Sequence, residues 1–330
     1  MYIDSFKRMF SLYKTMLQNK TYFEDFHILA FSNNPERRPL LFLVFFLIYL
    51  IGVLGNIVLI MVTFMDAQLH TPMYFFLCNL STVDIIFTTA TLSKLMDILL
   101  SGNTSMSITQ CFSQLFFFIF AASTEDTLLP TMAYDRYIAI SHPLHYNSIM
   151  TNKSCVMLLI ANWISGCLNS LTLTLAASRL TLCQSNKIQH FFCDIKALQK
   201  ISCPDIKFLI IIYAEAIILG LLPFILSLTS YIKIIKIILS IKSKTGRRKA
   251  FSTCSSHFTV LVIFYGAAMC MYMRPPSEHS EGFDQVFSLL FVAVTPFLNP
   301  LIYSLRNKEV KGALMRLVGL KKSDPKLFKT

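Results

Sequence analysis

Long stretches of apolar residues, separated by short polar segments, repeat along most of this 330-residue chain. The first of them, residues 40–64, contains no charged residue. A helix needs about 20 apolar residues to cross the hydrocarbon core of a bilayer, so this stretch is long enough. The repeating pattern predicts seven membrane-spanning helices, at residues 40–64, 73–100, 110–139, 155–177, 206–238, 250–273 and 284–305.

The ends of the chain complete the predicted architecture. A stretch at residues 307–318 places Val310, Leu314 and Leu317 on one side of a helix, which suits a helix lying on the membrane surface. The predicted fold is therefore an all-α membrane protein, a seven-transmembrane helix bundle with a short C-terminal amphipathic helix. Its predicted regions are an extracellular N-terminal segment, the transmembrane domain and a cytoplasmic tail with the surface helix, at residues 1–39, 40–305 and 306–330.

Composition and charge agree with a membrane protein. Hydrophobic residues make up 54% of the chain and charged residues 15%, against about 25% charged in globular proteins. These values exclude collagen, a coiled coil, a disordered chain and a small disulfide-rich scaffold. With the N-terminus outside, more than half of the 30 Lys and Arg residues lie on the inner side, as the positive-inside rule favours. A basic cluster at residues 242–249 suits contact with anionic lipid or a partner, so the net charge of +12 does not indicate nucleic-acid binding.

The predicted outer segments carry candidate modifications. The triplets that begin at Asn19 and Asn103 are acceptors for N-linked glycans, so we expect glycosylation of both. An oxidising compartment favours pairing of cysteines, and four of them allow three connectivities. The four cysteines on the outer segments are Cys111, Cys183, Cys193 and Cys203.

Five sequence segments carry a resemblance to a known family. They are LHTPMYFFLCNLS (69–81), MAYDRYIAI (132–140), SHPLHY (141–146), KAFSTCSSH (249–257) and PFLNPLIYSLRN (296–307). In this order and at this spacing they resemble the vertebrate olfactory (odorant) receptors, within the rhodopsin-like G-protein-coupled receptors. The resemblance covers about residues 19–318.

The resemblance implies a receptor rather than an enzyme. Such a receptor binds small odorant molecules within the helix bundle and activates a stimulatory olfactory G protein, which raises cyclic AMP. It is a multi-pass plasma-membrane protein with an extracellular N-terminus, found in the cilia of olfactory neurons. The same fold could instead serve a receptor for an endogenous amine or peptide. An ion channel or transporter is a further alternative, although the sequence has no inverted repeat or paired broken helices of the transporter kind.

Asp135 and Arg136 form a charge pair at the inner end of the third predicted span. A solvated pair of this kind contributes under about 1 kcal/mol, whereas the resemblance implies a latch whose arginine is released to meet the G protein. Pro223 and Pro300 each free a backbone carbonyl inside a helix, which predicts bends. The residues that the resemblance implies for activation and G-protein coupling are Asp135, Arg136, Tyr137, Tyr231, Asn299, Pro300 and Tyr303.

Acidic residues lie inside the predicted spans, where a carboxylate is costly and usually marks function. The resemblance places Asp84 and Glu125 at a polar cavity with Asn56 and Asn299. A sodium ion could bind there, since oxygen ligands suit hard cations. The alternative is a protonated, hydrogen-bonded carboxyl group. Apart from this ion we expect no cofactor.

Two residues of the third span differ from those that the family has at these positions. They are Asp126 and Pro130, and a proline here could bend the helix above the MAYDRYIAI segment. On the outer side, the resemblance implies that one disulfide bond pins the loop between spans 4 and 5 over the bundle and that another closes a ring within it. These bonds are Cys111–Cys193 and Cys183–Cys203.

A ligand site between helices should be apolar, with a few polar groups. In the sixth span, Tyr265, Met269 and Tyr272 are spaced i, i+4 and i+7, so they share a face. Glu215 in the fifth span could pair with a cationic amine, or it could be protonated and bonded to a helix neighbour. The predicted ligand-binding residues, for which ordinary helix packing is the alternative, are Phe118, Ile119, Ala122, Ser123, Glu215, Tyr265, Ala268, Met269 and Tyr272.

Overall fold

The computed structural model describes residues 25–30, 35–183, 185–272, 281–317 and 319. Within them, seven long helices form a bundle at the positions that the apolar stretches predict. A shorter helix, α8, follows the bundle. The helices are α1 (Arg38–Met65), α2 (Pro72–Ser101), α3 (Ile108–Ser141), α4 (Asn152–Ser178), α5 (Ile206–Ser240), α6 (Lys244–Tyr272), α7 (Glu281–Leu289, Leu290–Val294 and Thr295–Arg306) and α8 (Lys308–Leu317).

Local sequence signals set several helix boundaries. Ser107 caps α3: its hydroxyl accepts the backbone N–H of Gln110, whose side chain accepts the N–H of Ser107, at 3.2 and 3.1 Å. Thr151 caps α4 by accepting the N–H of Ser154. Gly102 ends α2 with a φ of 75°, a left-handed conformation that a residue without a Cβ adopts most readily.

Most of the bundle is apolar enough to cross a membrane, and α3 is central to it. Among the described residues, six helices have the length and apolar character of a span: α1, α2, α4, α5, and the Cys254–Tyr272 and Gln285–Tyr303 parts of α6 and α7. The third helix is not among them because its sequence includes several polar and acidic residues. It packs against α2, α4 and α5, so many of these polar residues are buried by protein.

The outer surface of the bundle suits lipid. On α1, the side chains of Leu43, Leu47, Leu54 and Met61 are exposed. On α5, large apolar side chains are exposed along most of the helix, including Ile210. Exposed apolar stripes of this length would be unfavourable in water, whereas a bilayer covers them.

Two helices contain π-helical segments next to prolines. In α5 the segment is Ala216–Leu221, which ends two residues before Pro223, and in α7 it is Leu290–Val294, which ends two residues before Pro296. A proline lacks the N–H that would close a regular helical turn, and a wider turn is one way to accommodate that loss. Helix α3, by contrast, continues through Pro130 to its end at Ser141.

A small sheet, which the sequence pattern did not predict, lies at the end of the bundle where α2 ends and α3 begins; we call this the outer end. Its strands are β1 (Asp25–Ile28), β2 (Ser105–Ser107) and β3 (Lys187–Ile188), in the order β2-β1-β3. Strand β1 is antiparallel to β2 and parallel to β3. Phe26 and Ile28 are buried, so the segment before α1 forms part of the covering of the bundle.

The outer end also holds both disulfide bonds. One joins Cys111, in the first turn of α3, to Cys193 in the loop before a loop helix at Ile195–Ile201. The other joins Cys183 to Cys203 within the same loop. Asn103 is exposed beside β2, whereas Asn19 lies outside the described residues.

Helix α8 packs on the inner end of the bundle. Val310 is fully buried and Leu314 is partly buried, as predicted, whereas Leu317 is 41% exposed and does not continue the packed side. Polar contacts hold the helix in place. Arg316 forms an ion pair with Asp66 at 2.6 Å, before the start of α2.

Candidate functional site

The inner end of α3 carries the first predicted group of functional residues. Asp135 is fully buried, and its carboxylate accepts a hydrogen bond of 2.7 Å from the Tyr146 hydroxyl. The Arg136 Nε lies 3.9 Å from Asp135, which is longer than a hydrogen bond. Burial, followed by the charge of Asp135, raises the pKa of Tyr146, so its hydroxyl remains a donor. Asp135 is therefore held by tyrosine, and its link to Arg136 is loose.

Arg136 faces polar groups from three other helices. Tyr231 on α5 and His257 on α6 are joined through the tyrosine hydroxyl and Nδ1, at 2.8 Å. Tyr303 on α7 is buried, and its hydroxyl has no hydrogen-bond partner in the described part of the chain. Arg136 interacts electrostatically with all three side chains. Arg136 is thus within electrostatic range of Tyr231 and Tyr303, which the resemblance expects to reach it in the active state.

Tyr137 and Pro300 have different surroundings. The ring of Tyr137 is partly buried and lies 5.4 Å from the ammonium group of Lys233 on α5, a distance that allows a cation–π contact. Pro300 packs close to α1, where a Cβ at Gly55 would approach its ring to 3.1 Å. These contacts tie α3 to α5 and α7 to α1.

The middle of the bundle contains a buried polar cluster. The amide of Asn299 donates to both carboxylate oxygens of Asp84, at 3.1 and 3.0 Å, and it also lies close to Glu125. By hydrogen-bond geometry, neither carboxylate oxygen of Glu125 has a partner among the described residues, and the same is true of Oδ1 of Asn56. These groups are buried. Buried oxygens of this kind are satisfied by a hydrogen-bond donor, by protonation of the carboxyl group or by a cation.

The outer half of α3 makes apolar contacts near its start and polar contacts one turn further in. Phe118 stacks on Phe87 at 5.5 Å and meets Phe192 of the covering loop at 4.9 Å, while Ile119 is buried. One turn further in, Ser123 accepts a hydrogen bond of 2.8 Å from Asn169 on α4. Phe118 is therefore part of an aromatic cluster that joins the helices to the loop.

Asn169 connects α3 with α5. Besides its bond to Ser123, its amide lies 3.5 Å from a carboxylate oxygen of Glu215. Glu215 is only partly buried, and it lies immediately before the π-helical segment of α5. Among the described residues, a neighbouring helix thus supplies a weak partner for this carboxyl, where the sequence suggested a partner from its own helix.

Tyr265 lies where α3, α5 and α6 meet. Its ring packs on Phe224 at 5.1 Å, and its hydroxyl donates over 3.5 Å to the backbone carbonyl of Asp126. Ala122 lies one turn before Asp126 on α3, and Ala268 lies one turn after Tyr265 on α6; both are partly buried. Tyr265 therefore combines a buried aromatic ring with a hydroxyl that also interacts with the Ser227 and Asp126 side chains, so it is a polar group within an apolar wall.

The shared face predicted for α6 holds only in part. Met269 is 38% exposed, on the same stripe as the exposed residues Phe258 and Val262. The buried face of the helix instead includes Leu261, Phe264 and Met271. The i, i+4 and i+7 spacing places residues on one stripe, but neighbouring helices decide which stripe is inside.

Tyr272 contacts the covering loop rather than the interior. Its hydroxyl donates to the Asp194 carboxylate at 3.4 Å, and Lys196 lies over its ring at 5.6 Å. The Lys196 ammonium also donates to the carbonyl of Met271 at 2.6 Å. Burial raises the pKa of Asp194 to about 6, although the N–H and ammonium of Lys196 favour the charged form. The loop and the outer end of α6 are thus joined by several polar contacts.

The rest of the loop is anchored on α3 and α7. The backbone N–H of Cys193 donates to the Gln114 side chain at 2.8 Å, next to the disulfide bond. His190 is buried, and its Nε2 lies 2.9 Å from the Ser288 hydroxyl on α7. Burial lowers the pKa of His190 to about 3, so its imidazole is neutral.

Sequence reasoning missed several of these residues. Tyr146 and His257 end two of the segments that carry the family resemblance, yet neither had a predicted role. Their partners, Asp135 and Tyr231, lie 11 and 26 residues away. Asn169 lies in a span that also contains Asn162 and several serines and threonines, and an amide side chain within a span was an available signal.

Comparison with known proteins identifies close relatives. Residues 45–321 match the family model described as olfactory receptor. Olfactory receptor 1E16 of Mus musculus is 42% identical over 301 residues, covering 91% of this chain and 96% of that protein. Olfactory receptor 1M1 of Homo sapiens is 42% identical over 307 residues, covering 92% and 97%. Olfactory receptor-like protein OLF4 of Canis lupus familiaris is 43% identical over 300 residues, covering 90% and 97%.

Proposed function

Because this chain belongs to the olfactory receptor family, we propose that it binds a small odorant between α3, α5 and α6 and raises cyclic AMP through the stimulatory olfactory G protein. The family match over residues 45–321 carries this proposal. It places the chain among receptors, so we expect no catalysed reaction. A channel or transporter has no comparable support.

The proposed odorant site combines apolar walls with a few polar groups. Tyr265 offers its hydroxyl, and Ser123 and Glu215 offer oxygens that meet through Asn169. Phe118, stacked on Phe87, lies one turn further out on α3. Small-molecule sites commonly have this mixture, in which apolar contacts supply affinity and a few polar groups fix orientation.

The same helices extend to the proposed G-protein site. Helix α6 carries both Tyr265 and His257, which are about 12 Å apart along a helix of regular rise. Helix α3 likewise carries Asp126 and Arg136. An odorant that binds better to one arrangement of these helices shifts the population at the inner end toward that arrangement.

A panel of odorants tests the proposal directly. The chain is expressed in cells with the olfactory G protein, and cyclic AMP is measured for each compound alongside surface expression. We expect at least one odorant to give a saturable, receptor-dependent rise. Odorant-gated current that persists without G protein would instead indicate a channel.

We further propose the location that the family implies: a multi-pass plasma-membrane protein with an extracellular N-terminus, in olfactory cilia. Support for this orientation comes from β1, both disulfide bonds and Asn103, which all lie at the outer end. Disulfide bonds and glycans form on the non-cytosolic side of a membrane. Detection of the transcript in olfactory sensory neurons would test the location.

A recognition of amines is a second candidate, favoured by the weak 3.5 Å contact of Glu215. If a cationic amine pairs with this carboxylate, Glu215→Gln will raise the half-maximal concentration for amines roughly tenfold, as expected for loss of a charged hydrogen bond. Responses to alcohols and ketones will stay the same. Asp97→Asn removes an exposed acid at the outer end of α2 and is the matched control. Unchanged amine responses in Glu215→Gln would rule this candidate out.

We also propose that Asp84 and Glu125 hold a sodium ion. Oxygens of Glu125 and Asn56 that lack partners among the described residues, beside the Asp84 carboxylate, suit a hard cation. These residues would hold the ion and fix the spacing of α1, α2, α3 and α7.

If sodium binds there, sodium chloride at about ten times the Kd of the ion will stabilise the purified receptor by about 1.4 kcal/mol relative to choline chloride. The measurement is the thermal unfolding midpoint in each salt. Asp84→Asn should remove the difference between the two midpoints. Equal midpoints for the unchanged receptor would instead favour a protonated carboxyl group.

A further inference from the structure

A cavity lies at the outer end, apart from the proposed odorant site. It has a volume of about 80 Å³, is partly open to solvent, and lies between the loop helix, β3 and the outer ends of α6 and α7. Its lining includes His190 and Lys187 from the loop and Met271 from α6. Tyr265 and Glu215 are not among its lining residues. The cavity therefore needs an explanation of its own.

The described lining of the cavity is predominantly positive. Lys187, Lys196 and Lys200 contribute ammonium groups, and Asp194 contributes the one carboxylate. That carboxylate already accepts the backbone N–H of Lys196 at 3.1 Å and the Tyr272 hydroxyl at 3.4 Å. The charge of the described lining thus favours an anion.

His190 adds a ring nitrogen that has no hydrogen-bond partner among the described residues. Its ring is buried, its Nε2 lies 2.9 Å from the Ser288 hydroxyl, and its Nδ1 has no hydrogen-bond partner among the described residues. When the serine hydroxyl donates to Nε2, the proton of the neutral imidazole is on Nδ1. A buried N–H without a partner is costly, and an anion in the cavity is a group that could accept it.

Part of the cavity wall is apolar. Ala197 and Ile201 of the loop helix line it together with Met271. These side chains can pack against a short hydrocarbon chain, but they offer no partner for a second charged group. The lining therefore suits a molecule with one anionic end and one short apolar end.

We propose that this outer cavity binds a small aliphatic carboxylate, with the carboxylate near Lys187, Lys196 and His190 and the alkyl chain against Ile201 and Met271. Lys196 donates one of its three ammonium N–H groups to the Met271 carbonyl, and the other two can donate to a ligand. The site is separate from the odorant site beside Tyr265, so the proposal does not depend on which odorant the receptor recognises.

Binding of radiolabelled hexanoate to the full-length receptor in lipid nanodiscs tests the proposal. We expect saturable binding that hexanol at the same concentration does not displace. Lys187→Gln should weaken it about threefold to fivefold, as for a partly exposed charge pair. Lys187 is exposed in β3, so this variant should keep its thermal unfolding midpoint. Lys207→Gln, an exposed lysine in the first turn of α5 outside the cavity lining, is the matched control.

His190→Gln provides a second variant at the buried end of the cavity, with folding checked by the same midpoint. Weaker hexanoate binding in Lys187→Gln and His190→Gln, but not in Lys207→Gln, would support the proposal. Absent saturable binding, displacement by hexanol, or equal loss in Lys207→Gln would overturn it. The assay measures no signalling, so a receptor that fails the odorant panel could still bind hexanoate here, and the reverse also holds.

Discussion

Replacing Arg136 with alanine will abolish the odorant-stimulated rise in cyclic AMP while leaving the receptor at the cell surface. The guanidinium contacts Asp135 only loosely, at 3.9 Å, and interacts electrostatically with Tyr231, Tyr303 and His257. Its Nε is buried and lacks a hydrogen-bond partner among the described residues. It is thus a cation at the inner end of the bundle, and we propose that a G protein contacts it when the helices move apart. Removing it takes away that contact but few of the bonds that hold the fold.

Two variants act as controls for this experiment. Lys153→Ala removes an exposed cation at the inner start of α4 and should leave the response unchanged. Arg136→Lys keeps the charge but not the planar guanidinium, so a partial response is expected. Cyclic AMP and surface labelling are measured on the same cells. A normal response in Arg136→Ala at normal surface density would contradict the proposed role.

Replacing Cys111 or Cys193 with serine will remove most of the receptor from the cell surface. The bond between them closes a loop with a sequence separation of 82 residues. Loop-closure entropy alone assigns roughly 4.5 kcal/mol to a loop of this length, a large part of the stability of a typical domain. The same bond holds the loop segment in which Cys193 donates to Gln114 and His190 meets Ser288. Without it the loop over the outer end loses its covalent attachment to α3.

The second disulfide bond should matter less. Cys183 and Cys203 have a sequence separation of 20, for which the same reasoning gives roughly 3 kcal/mol, and their bond lies within the loop. A Cys183→Ser, Cys203→Ser double variant should therefore retain more surface receptor than Cys111→Ser. Cys167→Ser changes an exposed free cysteine of α4 and is the matched control. If Cys111→Ser matched Cys167→Ser in surface density and unfolding midpoint, the expected anchoring role would be wrong.

Much of the helical architecture could be predicted from sequence. The apolar stretches gave the seven helices of the bundle within a few residues, because crossing a bilayer demands a continuous run of apolar side chains. The stretch at α3 was weaker, since Glu125 and Asp126 interrupt it. It was still recognisable from its length and its neighbours. Strands β1, β2 and β3 were not predicted, because strands of two to four residues leave almost no periodic signal.

The candidate sites were predictable to different degrees. Asp84 could be singled out because a charged residue inside a span is rare, and Arg136 because it lies in the MAYDRYIAI segment that carries the family resemblance. The bond from Tyr146 to Asp135 could not, since nothing local pairs two residues on separate elements. Met269 was predicted to face the interior because of its spacing from Tyr265. It does lie on the same stripe of the helix, but the neighbouring helices leave it exposed.

The order of amino acids alone is enough to establish that the chain crosses a membrane, where each helix runs and which family it belongs to. These properties depend on the residues of contiguous segments, because each span must be apolar along its own length to lie in the bilayer. The tertiary structure alone decided which partners Glu215 and Asp194 have, and that three lysines and His190 surround one outer cavity. Those groups come from helices and loops far apart in the chain, and their distances depend on how the whole bundle packs.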